Sequence, residues 1–339
     1  MSDLNPMYQY KFFNDRDAYI LISITLIVYF TVVWNFTSYM PIMDDYDVIL
    51  RFLNKYLTGD TSQQIHLLFA QHGEHRLVFN RIVELGYFNI FGQINFLYLT
   101  LFGNLGWLLA IWLLWRYSKH DLKINIFMFT PVVLMLLAFT HSALMTWAMA
   151  SIQQYWQLLF ALLAIYFLTS QQAYKAILFL FIAVFTGGGG LVLIPLFILY
   201  YIVDKQWKQL GVSTIFLIGV LLLYFVVLGF EKSSRNPDIL HVLLNTPKVL
   251  FMYILSFLGN FGKTQNLAMA IGAILVILSF FKSIYLFKNR PFLVWSILFI
   301  FATAGLTGLS RAGAGVNGYA PKCSNPSPTG NGYSASPSA

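Results

Sequence analysis

The amino-acid sequence predicts an all-α integral membrane protein with about nine transmembrane helices. Hydrophobic residues make up 58% of its 339 positions and charged residues only 10%, whereas a soluble protein has about 25% charged residues. The apolar residues form runs that are long enough to cross about 30 Å of hydrocarbon as helices. Most Lys and Arg residues lie between these runs or at their ends. The net charge of +8 is therefore dispersed along the chain, and it does not predict a nucleic-acid partner.

Nine apolar runs are predicted to be membrane spans. The two runs on either side of Gly187–Gly190 are shorter than the others. The segment from Lys248 to Lys263 has only about twelve apolar residues, so we predict an interfacial or re-entrant helix there and not a crossing. The nine runs cover residues 18–40, 97–115, 125–143, 147–169, 174–186, 190–203, 210–230, 266–287 and 291–309.

Basic residues in the short loops predict the orientation of the chain. Arg116, Lys119 and Lys123 lie between the second and third runs, and Lys205 and Lys208 lie between the sixth and seventh. Cytoplasmic loops are enriched in Lys and Arg, so both loops and the N-terminus are predicted to be cytoplasmic. The first run is longer than a signal-peptide core and lacks a small-x-small cleavage pattern, which predicts that it is retained as an anchor.

The sequence divides into a membrane domain, residues 1–311, and a tail, residues 312–339. Residues 41–96 form the largest connection of the membrane domain, and they are predicted to lie on the outer side. The tail is rich in Gly, Ser, Pro and Asn, a composition typical of disorder. It is interpreted either as a flexible or appended segment, or as a frameshift or truncation that replaced further membrane helices. Its lone Cys323 excludes a disulfide framework and a cysteine metal site.

Three aspartates follow the first span directly, Asp44, Asp45 and Asp47. Carboxylates this close together bind divalent cations, or raise the pKa of one member so that it serves as a general base. All three are therefore candidate catalytic residues, and Asp44 and Asp45 are candidate ligands for Mg²⁺ or Mn²⁺. The alternative is a solvated loop whose aspartates cap an amphipathic helix over residues 48–56.

A second polar motif contains His72, Glu74, His75 and Arg76, and it precedes an amphipathic run over residues 77–88. Two imidazoles, a carboxylate and a guanidinium supply acid, base and phosphate-binding groups, so these four residues are candidate substrate ligands. One alternative is a zinc site made by the two histidines. The other is simple anchoring at the lipid phosphates.

Two further features are predicted to lie on the outer side. Four consecutive glycines, Gly187–Gly190, allow either a close approach of backbone to a ligand or a plain tight turn. Arg235 and Arg311 are candidate ligands for a lipid-linked phosphate, although surface anchoring explains them equally well. Ionisable residues are nearly absent from the predicted spans, which argues against an ion path through the bilayer centre.

The layout of residues 10–311 resembles the GT-C class of membrane glycosyltransferases. The resemblance rests on a first span, a large outer loop that opens with Asp44, Asp45 and Asp47, amphipathic helices, and many spans joined by short loops. The segment Gln71–Arg76 with the following Asn80-Arg81, and the segment Ser310–Gly313, are similar to patterns in bacterial membrane proteins linked to surface polysaccharides. Beyond that point the sequence departs from the pattern, in which a further span would follow.

The resemblance implies a sugar donor attached to polyprenyl phosphate, an acidic residue of the outer loop as general base or metal ligand, and a bacterial cytoplasmic membrane. We therefore expect transfer of a sugar to a cell-surface glycan or glycolipid at the outer face. One aspartate of residues 44–47 would act as the base, and Arg76, Arg235 or Arg311 would stabilise the phosphate. The alternatives are a transporter or flippase for a lipid-linked saccharide, and a structural protein whose outer loops dock a polymerase.

Overall fold

The computed structural model describes residues 14–231, 243–244, 247–259 and 264–311. Arg235, the side chain of Arg311 and the predicted tail at 312–339 lie outside this part of the chain. The described residues fall into two compact units, one within residues 1–233 and 288–299 and the other within 234–287 and 300–339. Nearly every described element is a helix, as the sequence predicts for an all-α membrane protein.

Seven helical segments in the described residues are long and apolar enough to cross a bilayer, which agrees with seven of the nine predicted spans. They begin and end close to the predicted limits. The segments are Asp15–Phe36, Phe96–His120, Ile126–Met145, Ala148–Thr169, Trp207–Val227, Gln265–Leu286 and Pro291–Ser310.

The first unit begins with α1 (Asp15–Phe36), whose first turn is closed by a capping box between Asn14 and Asp17. The outer loop then forms a π-helical segment (Tyr46–Arg51), α2 (Phe52–Thr58), α3 (Thr61–Phe69), a hairpin of β1 (Gln71–His72) and β2 (His75–Arg76), and α4 (Val78–Phe91). In the hairpin, Gln71 pairs with Arg76 and His72 with His75. Helices thus occupy both segments for which the sequence predicts an amphipathic helix.

The remaining helices of the first unit form the bundle. In chain order they are α5 (Phe96–His120), α6 (Ile126–Leu136), a 3-10 turn (Phe139–His141), α7 (Ser142–Met145), α8 (Ala148–Thr169), α9 (Ala173–Val184), a 3-10 turn (Gly188–Val192), α10 (Leu193–Val203) and α11 (Trp207–Leu222) with a π-helical end (Leu223–Val227).

Helices α5 and α8 pack with their backbones close together. A Cβ atom at Gly103 of α5 would collide with the side chain of Ser151 on α8. Small residues at such a contact let transmembrane helices approach, and packing then supplies their stability. Nearby, the buried Tyr29 hydroxyl of α1 donates to Asn104 Oδ1 at 2.5 Å, and Asn104 Nδ2 donates to the carbonyl of Met145 at 2.9 Å. The Tyr29 hydroxyl and the Asn104 amide group are thereby paired.

Helices α9 and α10 differ from the predicted pair of full spans. Helix α9 has 12 residues, which corresponds to about 18 Å and falls well short of the bilayer core of about 30 Å. Their distant ends are joined, because Gln171 Nε2 donates to the Tyr200 hydroxyl at 2.6 Å and Gln206 Nε2 donates to Gln171 Oε1 at 2.7 Å. The glycine turn between them lies beside Gln157, near the middle of α8. The two helices therefore form a short hairpin, and the predicted count of about nine crossings is not confirmed.

The second unit contains α12 (Pro247–Leu258), α13 (Gln265–Leu286) and the end of α14 (Pro291–Arg311). Helix α12 is too short to cross, as predicted for residues 248–263. It packs directly on α13, where a Cβ atom at Gly272 would collide with the Leu255 backbone. Thr264 caps α13 by accepting from the Leu267 amide at 3.4 Å.

Candidate functional site

Segments that are far apart in the sequence meet at one end of the first unit. They are the loop after α1, the β-hairpin, the start of α8, the glycine turn and the end of α11. The contacts that join them are Asp45 with Trp147 and Met149, His75 with Gly188, Arg76 with Tyr224, and Gln71 with Glu231. Both polar motifs singled out in the sequence therefore lie at the same end of the bundle.

Asp45 is buried and holds the loop to the start of α8. Its side chain is only 1% exposed. Oδ1 accepts from the Trp147 indole and from the Met149 amide, both at 3.1 Å, and Oδ2 accepts from the Ile42 amide at 3.2 Å. Burial raises the pKa of Asp45, while these three N–H donors oppose the shift. Asp45 is 104 positions away from Met149 in the sequence, but its carboxylate caps the N-terminus of α8 by direct contact. A negative charge is favourable at that end of a helix.

Asp44 is the exposed neighbour of this buried residue. Its side chain is 53% exposed, and its Oδ2 lies 3.8 Å from Nε2 of His72 in the β-hairpin. The loop that carries Asp44 is fixed on its other side by Asp45. Asp44 therefore presents an accessible carboxylate beside an imidazole, on a segment whose position is set by a buried anchor.

Asp47 lies one residue into the π-helical segment and faces outward. It forms an ion pair of 2.9 Å with Arg51, one helical turn later, and both side chains are about half exposed or more. An exposed pair of this kind contributes roughly 0–1 kcal/mol to stability. The three predicted aspartates therefore differ: Asp45 is buried, Asp44 faces His72, and Asp47 pairs with Arg51.

The β-hairpin is tied to the glycine turn and to α11. Nδ1 of His75 accepts from the Gly188 amide at 3.1 Å, and the carbonyl of Glu74 accepts from the Tyr224 hydroxyl at 3.2 Å. The side chains of Glu74 and His75 are half-buried. His75 and the predicted outer turn are thus in direct contact, while His72 faces Asp44.

Arg76 is 1% exposed and binds the chain's own carbonyl groups. It donates to the carbonyls of Phe69 at 2.6 Å, Tyr224 at 2.9 Å and Gly229 at 2.5 Å. Its guanidinium also lies 5.0 Å from the centre of the Tyr224 ring. Burial lowers the pKa of Arg76. A cation at the C-terminal end of α11 stabilises the orphan carbonyls there, so we assign Arg76 to this cap and not to the phosphate in the proposal below.

The glycine turn is held by a glutamine of α8. When the amide oxygen of Gln157 is turned toward the glycines, it accepts from the amides of Gly189 at 3.3 Å and Gly190 at 2.9 Å. A Cβ atom at Gly187 would collide with the same side chain. The glycines are therefore needed for a close approach within the protein.

Three buried polar residues on α4 were not predicted from the sequence as site residues: Asn80, Arg81 and Glu84. Asn80 and Glu84 are fully buried and Arg81 is 5% exposed. A signal was present, because Leu77, Asn80, Arg81 and Glu84 follow the i, i+3, i+4, i+7 spacing that places residues on one helix face. Reading that face as the buried one would have identified them.

Of the two predicted cation ligands, Asp45 already uses its oxygens for hydrogen bonds, whereas Asp44 is accessible. The Asp45 carboxylate is surrounded by three N–H groups, whose positive ends point at the oxygens. Across the described ranges, no group of three or more His, Cys, Asp or Glu side chains is arranged to hold a metal ion. A Mg²⁺ or Mn²⁺ ion at Asp44 and Asp45 stays a prediction, and the reaction proposed below is written without it.

These features define the class of the chain as an α-helical integral membrane protein with a polar site at one end of its bundle. No protein-family model, curated protein or solved structure matches the chain. The resemblance to GT-C glycosyltransferases stays a hypothesis that rests on the sequence layout.

Proposed function

We propose that this chain is a membrane glycosyltransferase, which moves a sugar from a polyprenyl-phosphate donor to a cell-surface glycan or glycolipid. The bilayer holds the protein and the lipid part of the donor. The site is at the end of the bundle where the outer loop, the glycine turn and the end of α11 meet. We place this end on the outer face of the bacterial cytoplasmic membrane, because the short basic loops lie at the opposite ends of the same helices.

The accessible carboxylate of Asp44 is the observation that carries this proposal. A general base must be able to contact the acceptor hydroxyl whose proton it takes. Of the other two aspartates in the motif, Asp45 is buried and Asp47 is already paired with Arg51. Asp44 is 53% exposed, lies beside His72 and is carried by a loop that Asp45 anchors. A general base held on a fixed loop is a common element of transfer reactions.

The reaction follows from these groups. Asp44 accepts the proton of an acceptor hydroxyl, whose oxygen forms a bond to the anomeric carbon of the sugar. The bond from that carbon to the phosphate oxygen breaks, and polyprenyl phosphate leaves with both electrons of the bond. Attack opposite the leaving group inverts the anomeric carbon. Arg235 and Arg311 stay the predicted ligands of the departing phosphate.

The proposal is tested by transfer of radiolabelled sugar in proteoliposomes. Asp44→Asn should lower the rate by about 100-fold or more, since a general base contributes about 10²–10⁴-fold to a rate. Asp47→Asn is the matched control, because it makes the same chemical change three residues away at a similar exposure. Equal rates for the two variants would contradict the assignment of Asp44.

A second candidate function is a flippase for a lipid-linked saccharide. Ser151, Gln153 and Gln157 of α8 are buried and polar, and Gln153 and Gln157 approach the glycine turn in the bundle. Polar residues inside a bundle are typical of substrate paths. Movement of a fluorescent lipid-linked sugar across a vesicle membrane, without any transfer, would support this function.

A further inference from the structure

The buried polar residues of α4 leave three oxygen acceptors without a donor. Within the described residues, both carboxylate oxygens of Glu84 and the Oδ1 atom of Asn80 have no hydrogen-bond partner. Asn80 Nδ2 is used, since it donates to the Met149 carbonyl at 3.1 Å. Asn80 and Glu84 are four residues apart on one helix, so their side chains lie on the same face. Unpaired buried acceptors are costly, and a ligand that donates or carries positive charge would satisfy them.

Two charged groups, Arg81 and Asp45, act on Glu84. Arg81 lies three residues before it, and burial lowers the pKa of Arg81 only to about 10, so this guanidinium is charged at neutral pH. It donates to the carbonyls of Leu68 at 3.0 Å and Ala70 at 2.6 Å. Asp45 is the other ionisable group that acts on Glu84. An ionised Asp45 offsets the effect of Arg81 on Glu84, so these two charges together do little to hold Glu84 in its ionised form.

Arg76 is a second enclosed cation, directly before α4, and its guanidinium is already bonded to three backbone carbonyls. It acts electrostatically on Arg81, whereas the cation that acts on Glu84 is Arg81 itself. Helix α8 contains no Asp, Glu, Lys or Arg. The π-helical segment contributes Asp47 and Arg51, which pair with each other, and α2 and α3 contribute Lys55 and His66, which are exposed. None of these groups donates a hydrogen bond to Glu84, so an ion bound at Glu84 itself can satisfy its carboxylate oxygens.

We propose that Glu84 and Asn80 form a buried binding site for one monovalent cation, either a proton or a sodium ion. A proton on Glu84 turns the carboxylate into a donor for Asn80 Oδ1, which satisfies two of the three acceptors at once. A sodium ion would bind the same three oxygens, the ligand type that hard cations prefer. Either ion would neutralise the Glu84 carboxylate, and the experiment below distinguishes a proton from a sodium ion.

The site is linked to the loop that carries Asp44. A negative charge on Glu84 opposes ionisation of Asp45, and a neutral Asp45 would hold the α8 N-terminus less strongly. An occupied cation site therefore keeps Asp45 ionised and the loop in place. This consequence for transfer rests on the proposed function, whereas the cation site itself is tested through stability.

The test measures the unfolding temperature of the purified protein as the pH rises from about 6 to about 9 in sodium-free buffer. Burial raises the pKa of Glu84 well above its usual value. The folded state then binds a proton that the unfolded state releases, so stability is complete below the usual pKa and falls as the pH rises toward the raised one. The folding constant should drop about tenfold for each pH unit in that window.

Glu84→Gln should remove this pH dependence, because the amide keeps a donor for Asn80 and carries no charge. Glu231→Gln is the matched control, since Glu231 is exposed and its loss should leave the pH dependence of the wild type unchanged. Sodium chloride is then compared with choline chloride at high pH. Stabilisation by sodium in the wild type, absent from Glu84→Gln, identifies a sodium ion; no effect of sodium, with the pH dependence present, identifies a proton.

An identical pH profile in the wild type and Glu84→Gln, with no sodium effect in either, would overturn the proposal. If Glu84→Gln does not fold, infrared spectroscopy of the wild type decides. A carbonyl band of a protonated carboxylic acid at neutral pH, or stabilisation by sodium, supports the site, and the absence of both refutes it. None of these readouts depends on sugar transfer, so the site and the proposed function fail separately.

Discussion

At the residue scale, neighbouring aspartates of one motif occupy different environments. Asp45 is buried and accepts hydrogen bonds from three N–H groups, while Asp44 is exposed to solvent and lies beside His72. The first residue can stabilise the fold and the second can react with a substrate. A motif of identical side chains thus separates into an anchor and a candidate base.

We expect Asp45→Asn to destabilise the protein by about 1–3 kcal/mol, because an amide has only one acceptor oxygen. Either the Ile42 amide or the two donors at the start of α8 then lose their acceptor. Thermal unfolding of the purified protein measures the loss. Asp47→Asn should change the stability by less than about 0.5 kcal/mol, as expected for an exposed ion pair. Equal unfolding temperatures for the two variants would show that Asp45 is not an anchor.

The sequence predicts that this motif is polar and close to the membrane, but not which aspartate is buried. That choice depends on the Trp147 indole and the Met149 amide, about a hundred positions away in the chain. The same limit applies to Arg76, whose carbonyl partners on α11 could not be inferred from local spacing. Long-range partners decide whether a charged side chain faces a substrate or the protein itself.

At the element scale, length separates the seven long segments from the short hairpin of α9 and α10. The seven long segments are predictable because about 20 apolar residues match the thickness of the bilayer. The sequence marks the two short runs as unusual, but their pairing depends on Gln171, Tyr200 and Gln206. Side-chain hydrogen bonds of this kind leave no periodic signal in the sequence.

The tip of this hairpin should tolerate no added side chain at Gly190. A Cβ atom there would collide with the backbone of Ala183, which cannot move as a flexible side chain can. We therefore expect Gly190→Ala to lower the unfolding temperature, by an overpacking cost of about 1–3 kcal/mol. Gly211→Ala is the control: it lies in α11 with open space around it, and alanine should be neutral or stabilising by up to about 1 kcal/mol. Similar effects of both changes would contradict the close packing of the turn.

At the scale of the whole molecule, the polar groups of the first unit are unequally distributed. Both motifs, the glycine turn and the end of α11 meet at one end, whereas the loops with Arg116, Lys119 and Lys205 lie at the other ends of the same helices. The orientation predicted from the basic residues stays a prediction, and under it this polar end faces outward. Under that orientation, a substrate held in the outer half of the bilayer can reach the proposed site.

The orientation predicts which positions a membrane-impermeant thiol reagent can reach in intact cells. In a Cys323→Ser background, cysteine at Ser62 should be labelled from outside, and cysteine at Lys119 should be labelled only after permeabilisation. Both positions are exposed in the structure, so burial does not explain a difference. The reverse pattern would invert the topology and place Asp44 in the cytoplasm.

The most direct test of the central claim measures sugar transfer and unfolding temperature on the same preparations of the wild type, Asp44→Asn and Asp45→Asn. Asp44→Asn should lose transfer by about 100-fold or more and keep the wild-type unfolding temperature. Asp45→Asn should lower the unfolding temperature, and its transfer should fall only as far as the folded fraction does. If Asp44→Asn transfers sugar at the wild-type rate while it remains folded, the claim that Asp44 is the base of a glycosyltransferase is contradicted.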